Sequence, residues 1–253
     1  MIRPANYGRI TSVALDPIEK KPLRNFHPGS KILSVGSFGC NLRCPFCQNY
    51  AISYSEEVPK VAADAVSLSP TALVDLAAKK VPEGNIGIAY TYNEPLLSYQ
   101  YVMDCSRLAH LHKLLNVVVT NGSVCSYVTS KLEGLIDAMN IDLKAFSDDF
   151  YSKLLSGDRH TVMDFIEDTS KWCHIELTCL VIPGENDTED EIEEMAAWIA
   201  SLNDGAGRDI PLHLSRFFPQ YHMTDRDATD VSLVYRLTEV ARKHLNFVYT
   251  GNC

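Results

Sequence analysis

The sequence contains no apolar run approaching the ~18 residues that cross a bilayer, and its opening segment, MIRPANYGRI, lacks the apolar core of a secretory signal. A cytoplasmic protein without membrane attachment is therefore expected. Basic residues are also in short supply: 23 Lys and Arg stand against 32 Asp and Glu, for a net charge of −9. That balance works against nucleic acid as a partner, which calls for a basic footprint. Repeats at periods of 20 to 50 residues, low-complexity tracts and a convincing linker are missing as well. So is a second CxxC pair, because Cys105, Cys125, Cys173, Cys179 and Cys253 are scattered. In a reducing compartment those five read as structural, whereas Cys40, Cys44 and Cys47, close together, read as metal ligands.

At 253 residues, with 46% hydrophobic and 22% charged residues, the chain fits one globular domain with a full core. Val/Ile/Leu-rich runs occur at 31–35, 85–90, 115–120, 138–143, 174–182 and 211–215, with a further candidate at 246–250. Such runs suit strands buried on both faces. Helical patterns lie between them. Thr188 and Glu191 form a capping box ahead of Ile192, Met195, Ala196 and Ile199, and Ser69-Pro70 opens a helix before Leu73, Val74 and Ala77. The alternation predicts an α/β fold, a partial (β/α)6 TIM-type barrel over 31–253. Residues 1–30 are expected to form a short strand-rich N-terminal extension, since GRITSVAL alternates before a turn at Asp16-Pro17.

In barrels, chemistry sits just beyond the C-terminal ends of strands. Residues 35–53, VGSFGCNLRCPFCQNYAIS, put the CxxxCxxC triplet there, after the first strand. Three close thiolates without an evident fourth suit an iron–sulfur cluster with one iron left open. A zinc site completed by His27 is the competing reading, although zinc normally takes four ligands, often from paired CxxC units. Further strand ends carry TYNEP (91–95), TNG (120–122), DLK (142–144) and HLSRFFPQYHMTD (213–225). In the last of these, Arg216 could pair with a carboxylate, His213 or His222 could move a proton, and Phe217 or Tyr221 could stack on adenine.

The triplet with Phe46 before its last cysteine resembles the hallmark of radical S-adenosylmethionine (SAM) enzymes. The whole set, with DPIEKKPL, NIDLKAF, VIPGEND and YTGN, resembles the AmmeMemoRadiSam-system radical SAM enzymes, often labelled pyruvate formate-lyase activating enzyme-like. The resemblance implies two cofactors, a 4Fe-4S cluster on Cys40, Cys44 and Cys47 and SAM on its open iron. It implies SAM contacts from Phe46, Tyr92, Asn93, Glu94, Thr120, Asn121, Asp142, Lys144 and Arg216, with Glu94 meeting the amino group and Lys144 the carboxylate. The chemistry implied is reductive cleavage of SAM to a 5′-deoxyadenosyl radical, which abstracts hydrogen from a substrate.

Departures from the activase pattern bear on that substrate. Tyr92 and Asn93 replace two glycines, Val119 stands where an Asp is expected, and Thr178 stands where an Arg would meet SAM's carboxylate, leaving Lys144 or Arg216 as substitutes. The substrate is therefore either a glycine of a partner protein or something else. The resemblance also implies a flavodoxin or ferredoxin-type electron donor; Arg43, beside the cluster in sequence, is a residue that could help dock it. A metal-binding or redox module without enzymatic activity is the reading from another class, and response of a reconstituted cluster to SAM separates the two.

Overall fold

A computed structural model describes residues 4–253 of the chain. Its strands are β1 (Arg9–Ile10), β2 (Ser12–Pro17), β3 (Lys31–Gly36), β4 (Val66–Ser67), β5 (Asn85–Thr91), β6 (Leu115–Thr120), β7 (Ala138–Asp142), β8 (His174–Val181), β9 (Leu212–Arg216) and β10 (Val248–Gly251). Helices α1 (Tyr50–Ser53), α2 (Val58–Asp64), α3 (Pro70–Lys79), α4 (Tyr99–Leu111), α5 (Ser126–Leu132), α6 (Arg159–Thr169), α7 (Glu189–Ser201) and α8 (Val231–Ala241) connect them. The six predicted core strands and the candidate seventh are all present. With β2 they form one eight-stranded sheet in the order β10-β9-β8-β7-β6-β5-β3-β2, parallel throughout except for β2, which pairs antiparallel with β3. The sheet is an open barrel whose edges are β2 and β10.

Two local expectations change. Asp16 and Pro17 are not a turn but the last residues of β2, registered against Ile32 and Lys31, because the Asp16 carboxylate is held by Lys20, Lys21 and Tyr92. Thr188 does cap α7 by accepting from Glu191 N. The Glu191 carboxylate, however, accepts from Phe146 N instead of reaching back to residue 188, so the box is half-formed and its acid pins the loop after β7.

Side-chain alternation along the strands sorts the molecule into layers. One face packs under the helices in the main core, with Leu73, Val74 and Ala77 of α3 and Ile192, Met195, Ala196 and Ile199 of α7 buried there as their periodicity predicts. The other face lines the barrel interior, where Ile32, Ala89, Val117 and Ala138 make a small apolar floor. Ile18 and Leu23, both fully buried, plug that floor from the segment after β2. Leu23→Ala should therefore cost about 2–5 kcal/mol, as other core truncations do. A fall in the urea midpoint at constant slope would show it, and an unchanged midpoint would refute the plug.

Of the scattered cysteines, Cys105 and Cys179 are buried and Cys173 packs at the core's margin, while Cys125 and Cys253 are exposed and so are not core residues. Among the described residues, no helix is long and apolar enough to cross a membrane.

Candidate active site

Above the apolar floor, the strand ends enclose a cavity of about 810 Å³. Cys40, Cys44, Phe46 and Cys47 line one wall, from the loop between β3 and α1. That loop is held mainly by side-chain amides. Asn93 accepts from Ser37 N (3.0 Å) and donates to the Gly39 carbonyl (3.1 Å), and Asn49 donates to the Tyr92 carbonyl (2.8 Å). Asn121 donates to Asn41 Oδ1 (2.9 Å) and lies 3.6 Å from Cys40 Sγ. Asn93 thus spends its amide on the loop. Tyr92, at φ 77°, turns its hydroxyl onto Asp16 (2.8 Å). Both residues line the cavity, but these bonds fix the cysteine loop and the N-terminal strand.

Glu94 is the hub of the next wall. It accepts from Leu96 N (3.0 Å) and Thr120 Oγ1 (2.8 Å) on one oxygen and from Asn121 N (2.8 Å) on the other. Burial pushes its carboxyl up to about 7 against those hydrogen bonds, which favour the ionised form. Further round, Lys144 pairs with Asp142 at 2.9 Å. Burial opposes the Lys144 charge, yet Asp142 and the neighbouring thiol of Cys44 more than offset it and raise its pKa.

The β9 end departs most from expectation. His213 and Ser215 face the cavity, so Arg216, one residue on, points to the opposite side. Its Nε donates to the Thr229 carbonyl (2.6 Å) and its guanidinium lies over Phe218. Arg216 therefore lies outside the cavity lining, whereas Lys144, the other cation named for SAM's carboxylate, lies on it. His222 is also outside, exposed, with its backbone N donating to the Pro45 carbonyl (2.8 Å). Tyr221 stacks on Tyr50 with ring centroids 4.6 Å apart, and Phe217 is buried in the core. The dense 213–225 segment thus braces the cysteine loop from outside, leaving His213 and Ser215 as its polar side chains in the cavity.

His213 leads to a residue that sequence reasoning missed. Its Nε2 sits 2.7 Å from Glu176, which is fully buried in the barrel and also takes His174 (3.1 Å), Arg24 N (2.9 Å) and Asn25 N (2.8 Å). Burial alone would raise this carboxyl, but the two histidines and two backbone donors outweigh it and hold the group at about 2. The available signal was an acid inside an apolar run, HIELTCLVI, since a charge buried there needs partners.

A family description, the radical SAM superfamily, matches residues 34–199, most of the chain. The chain belongs to the radical SAM superfamily. It is 36% identical, over 97% of its length and 71% of the relative's, to an uncharacterized protein of Methanocaldococcus jannaschii. A second protein of that organism, named as a candidate glycyl-radical enzyme activating enzyme, is 23% identical over 85% of this chain and 79% of its own. The fold is shared with Streptococcus suis SuiB, solved bound to S-adenosylmethionine, at a TM-score of 0.62 and 12% identity over 88% of this chain and 52% of SuiB.

The cofactors of this radical SAM protein are a 4Fe-4S cluster and SAM. The cavity's donors suit them. Burial pushes the Cys40 thiol up to about 12 and raises that of Cys44, so each needs a cationic partner to be held as thiolate, and iron is one. Among the described residues, no three His, Cys, Asp or Glu side chains converge as ligands of one ion would. All three thiols line the cavity, and a cluster takes one thiolate per iron. His27 is exposed and outside the cavity, so it does not complete a zinc site with them.

Proposed function

We propose that this chain cleaves SAM reductively at a cluster held by Cys40, Cys44 and Cys47, and applies the product to a substrate in the same cavity. The observation that carries this reading is convergence: the triplet, Glu94, Asn121, Asp142 and Lys144 come from four strand ends and line one space. When bound, the cluster and SAM supply an electron and a 5′-deoxyadenosyl radical for hydrogen abstraction. The chain's own residues bind and orient. Glu94, anchored by three donors, presents a fixed acceptor for an ammonium group. Lys144, steered by Asp142, presents a cation for a carboxylate. Phe46, buried between Cys44 and Cys47 in sequence, and Thr120, which donates to Glu94, set the walls. Anaerobic reconstitution should give about four irons per chain, an axial signal that SAM perturbs, and 5′-deoxyadenosine on reduction. A cluster indifferent to SAM would overturn the proposal.

A second reading, activation of a glycyl radical enzyme, is favoured by the similarity to the candidate activase of M. jannaschii. It requires a persistent glycyl radical signal when chain, SAM and such an enzyme are mixed under reduction. Absence of that signal alongside intact SAM cleavage would dismiss it.

Electron delivery fits a flavodoxin or ferredoxin-type protein at the face carrying Arg43, which is exposed in the cysteine loop and lies over Tyr54. Arg43→Glu is expected to lower the ratio of donor-driven to dithionite-driven SAM cleavage about tenfold at low salt. An unchanged ratio would place the donor elsewhere.

A further inference from the structure

The cavity extends past the Glu94 and Lys144 end to the seam between the open barrel's edges, where residues 19–24 meet 250–253. At this far end the lining is rich in donors and cations, although the whole chain carries −9. Lys20, Lys21, Arg24, His213, Thr178 and Ser215 all face it.

Asp16 and Glu176, two acids nearby, are already saturated and turned away. Asp16 takes Lys20 (3.1 Å), Lys21 (3.0 Å) and the Tyr92 hydroxyl (2.8 Å), and it does not line the cavity. Glu176 takes four donors, none of them the Arg24 guanidinium, and it is also outside the lining. Glu19 does line the cavity, and its Oε1 accepts from Gly29 N at 2.6 Å.

Arg24 is the one arginine on the lining and makes no ion pair among the described residues. Its backbone is fixed by Glu176, and its guanidinium lies 5.9 Å from the centre of the Tyr249 ring. That ring is in turn 5.3 Å from His213's and is anchored by its hydroxyl to Asn25 (2.7 Å). The His213 ring meets Glu176 through Nε2 and makes no other side-chain hydrogen bond among the described residues. A guanidinium with a free fork and an imidazole on a buried carboxylate, both against the Tyr249 ring, offer an oxyanion charge and donors on one lining.

We propose that this end binds the substrate through an anionic group, a carboxylate or a phosphate, with Arg24 as its anchor and Lys20 and His213 beside it. The substrate is thus a small acid-bearing molecule, held by its anion at the seam while its reacting carbon faces the SAM end. This inference rests on the reading given under Proposed function.

The full chain, cluster-loaded and with SAM present so that the Lys144 end is occupied, is melted anaerobically in inorganic phosphate, malonate or chloride at matched ionic strength. Phosphate or malonate at ten times its Kd should raise Tm by about 3 °C over chloride, by mass action. Arg24→Ala should cut that shift to about 1 °C, and Arg24→Lys should fall between. Which anion stabilises more tells a phosphate-bearing substrate from a carboxylate. Phenylglyoxal labelling of Arg24, mapped by mass spectrometry in the unaltered chain, should slow severalfold in the effective anion. Equal melting in all three salts, or labelling of Arg24 indifferent to anions, would overturn the proposal. If SAM perturbs the cluster while anions do nothing, the anion site alone fails. A cluster that ignores SAM overturns the functional reading itself.

Discussion

Cys44→Ala protein, reconstituted anaerobically with iron and sulfide, is expected to lose SAM cleavage by more than about a hundredfold, beyond what loss of a partner outside the ligand set costs. Cys44 is the cleanest of the three positions to test. Cys40 Sγ also accepts from Leu42 N (3.4 Å) and lies near the Asn121 amide, so its removal would loosen the loop as well as the metal. The Cys44 side chain faces the cavity next to Lys144, and its removal takes away one thiolate while the amide contacts of Asn41, Asn49 and Asn93 stay in place. Iron content should fall with activity, and the SAM-sensitive axial signal should vanish. Cys105→Ala is the matched control, because Cys105 is buried on α4 in the main core and does not line the cavity. It should lose stability by about 1–2 kcal/mol as a small core truncation and keep its iron. Full iron and SAM response in Cys44→Ala would remove the triplet from the cofactor and sink the proposed function.

What could be read in advance follows from how each feature is encoded. The sheet was legible because its strands are buried on both faces, so 115–120 and 138–142 stand out as apolar runs without any knowledge of partners. The triplet was legible because its ligands are local in sequence. Arg216 and His222 lie outside the cavity lining for different reasons: His222 sits in the loop beyond β9, and for Arg216 a strand end rich in polar residues says nothing of which side each one faces. The alternation that puts His213 and Ser215 in the cavity puts Arg216 under the loop at Thr229. Glu176, Lys21 and Arg24 were missed because their meaning is relational. Lys21 and Arg24 look like ordinary surface charges in DPIEKKPLRN, and only the antiparallel return of β2 beside β3 carries that segment across the barrel's opening. Asp16 shows the same limit, since a turn-forming pair became a strand end once two lysines and a tyrosine hydroxyl closed on it.

Glu94 gives the second large effect, and its sign runs opposite for the chain alone and for the chain with SAM. Burial holds the Glu94 carboxyl at about 7, above the usual carboxylate range, so in the chain alone the protonated form prevails below about pH 7. The stability this contributes is fully present below the unfolded value near 4.5 and is lost as pH rises through about 7. An ammonium placed against Glu94 reverses the preference, because the ion pair needs the carboxylate. SAM binding should therefore tighten by about eightfold between pH 6 and 7.5, following the ionised fraction of a group at about 7. Glu94→Gln should flatten that rise and weaken binding at pH 7.5 by about tenfold or more, the cost of losing a charge-assisted contact. The replacement has a second consequence. Glu94 takes the Asn121 N–H on one oxygen and the Leu96 N–H and Thr120 hydroxyl on the other, so an amide NH2 at either position faces a donor. That mismatch should cost about 1–3 kcal/mol of stability, read as a lower urea midpoint. SAM titrations across pH on both proteins settle the matter together. A flat wild-type profile, or one that Glu94→Gln leaves unchanged, would remove Glu94 from the cofactor site and leave it as a tie between the β5 and β6 ends.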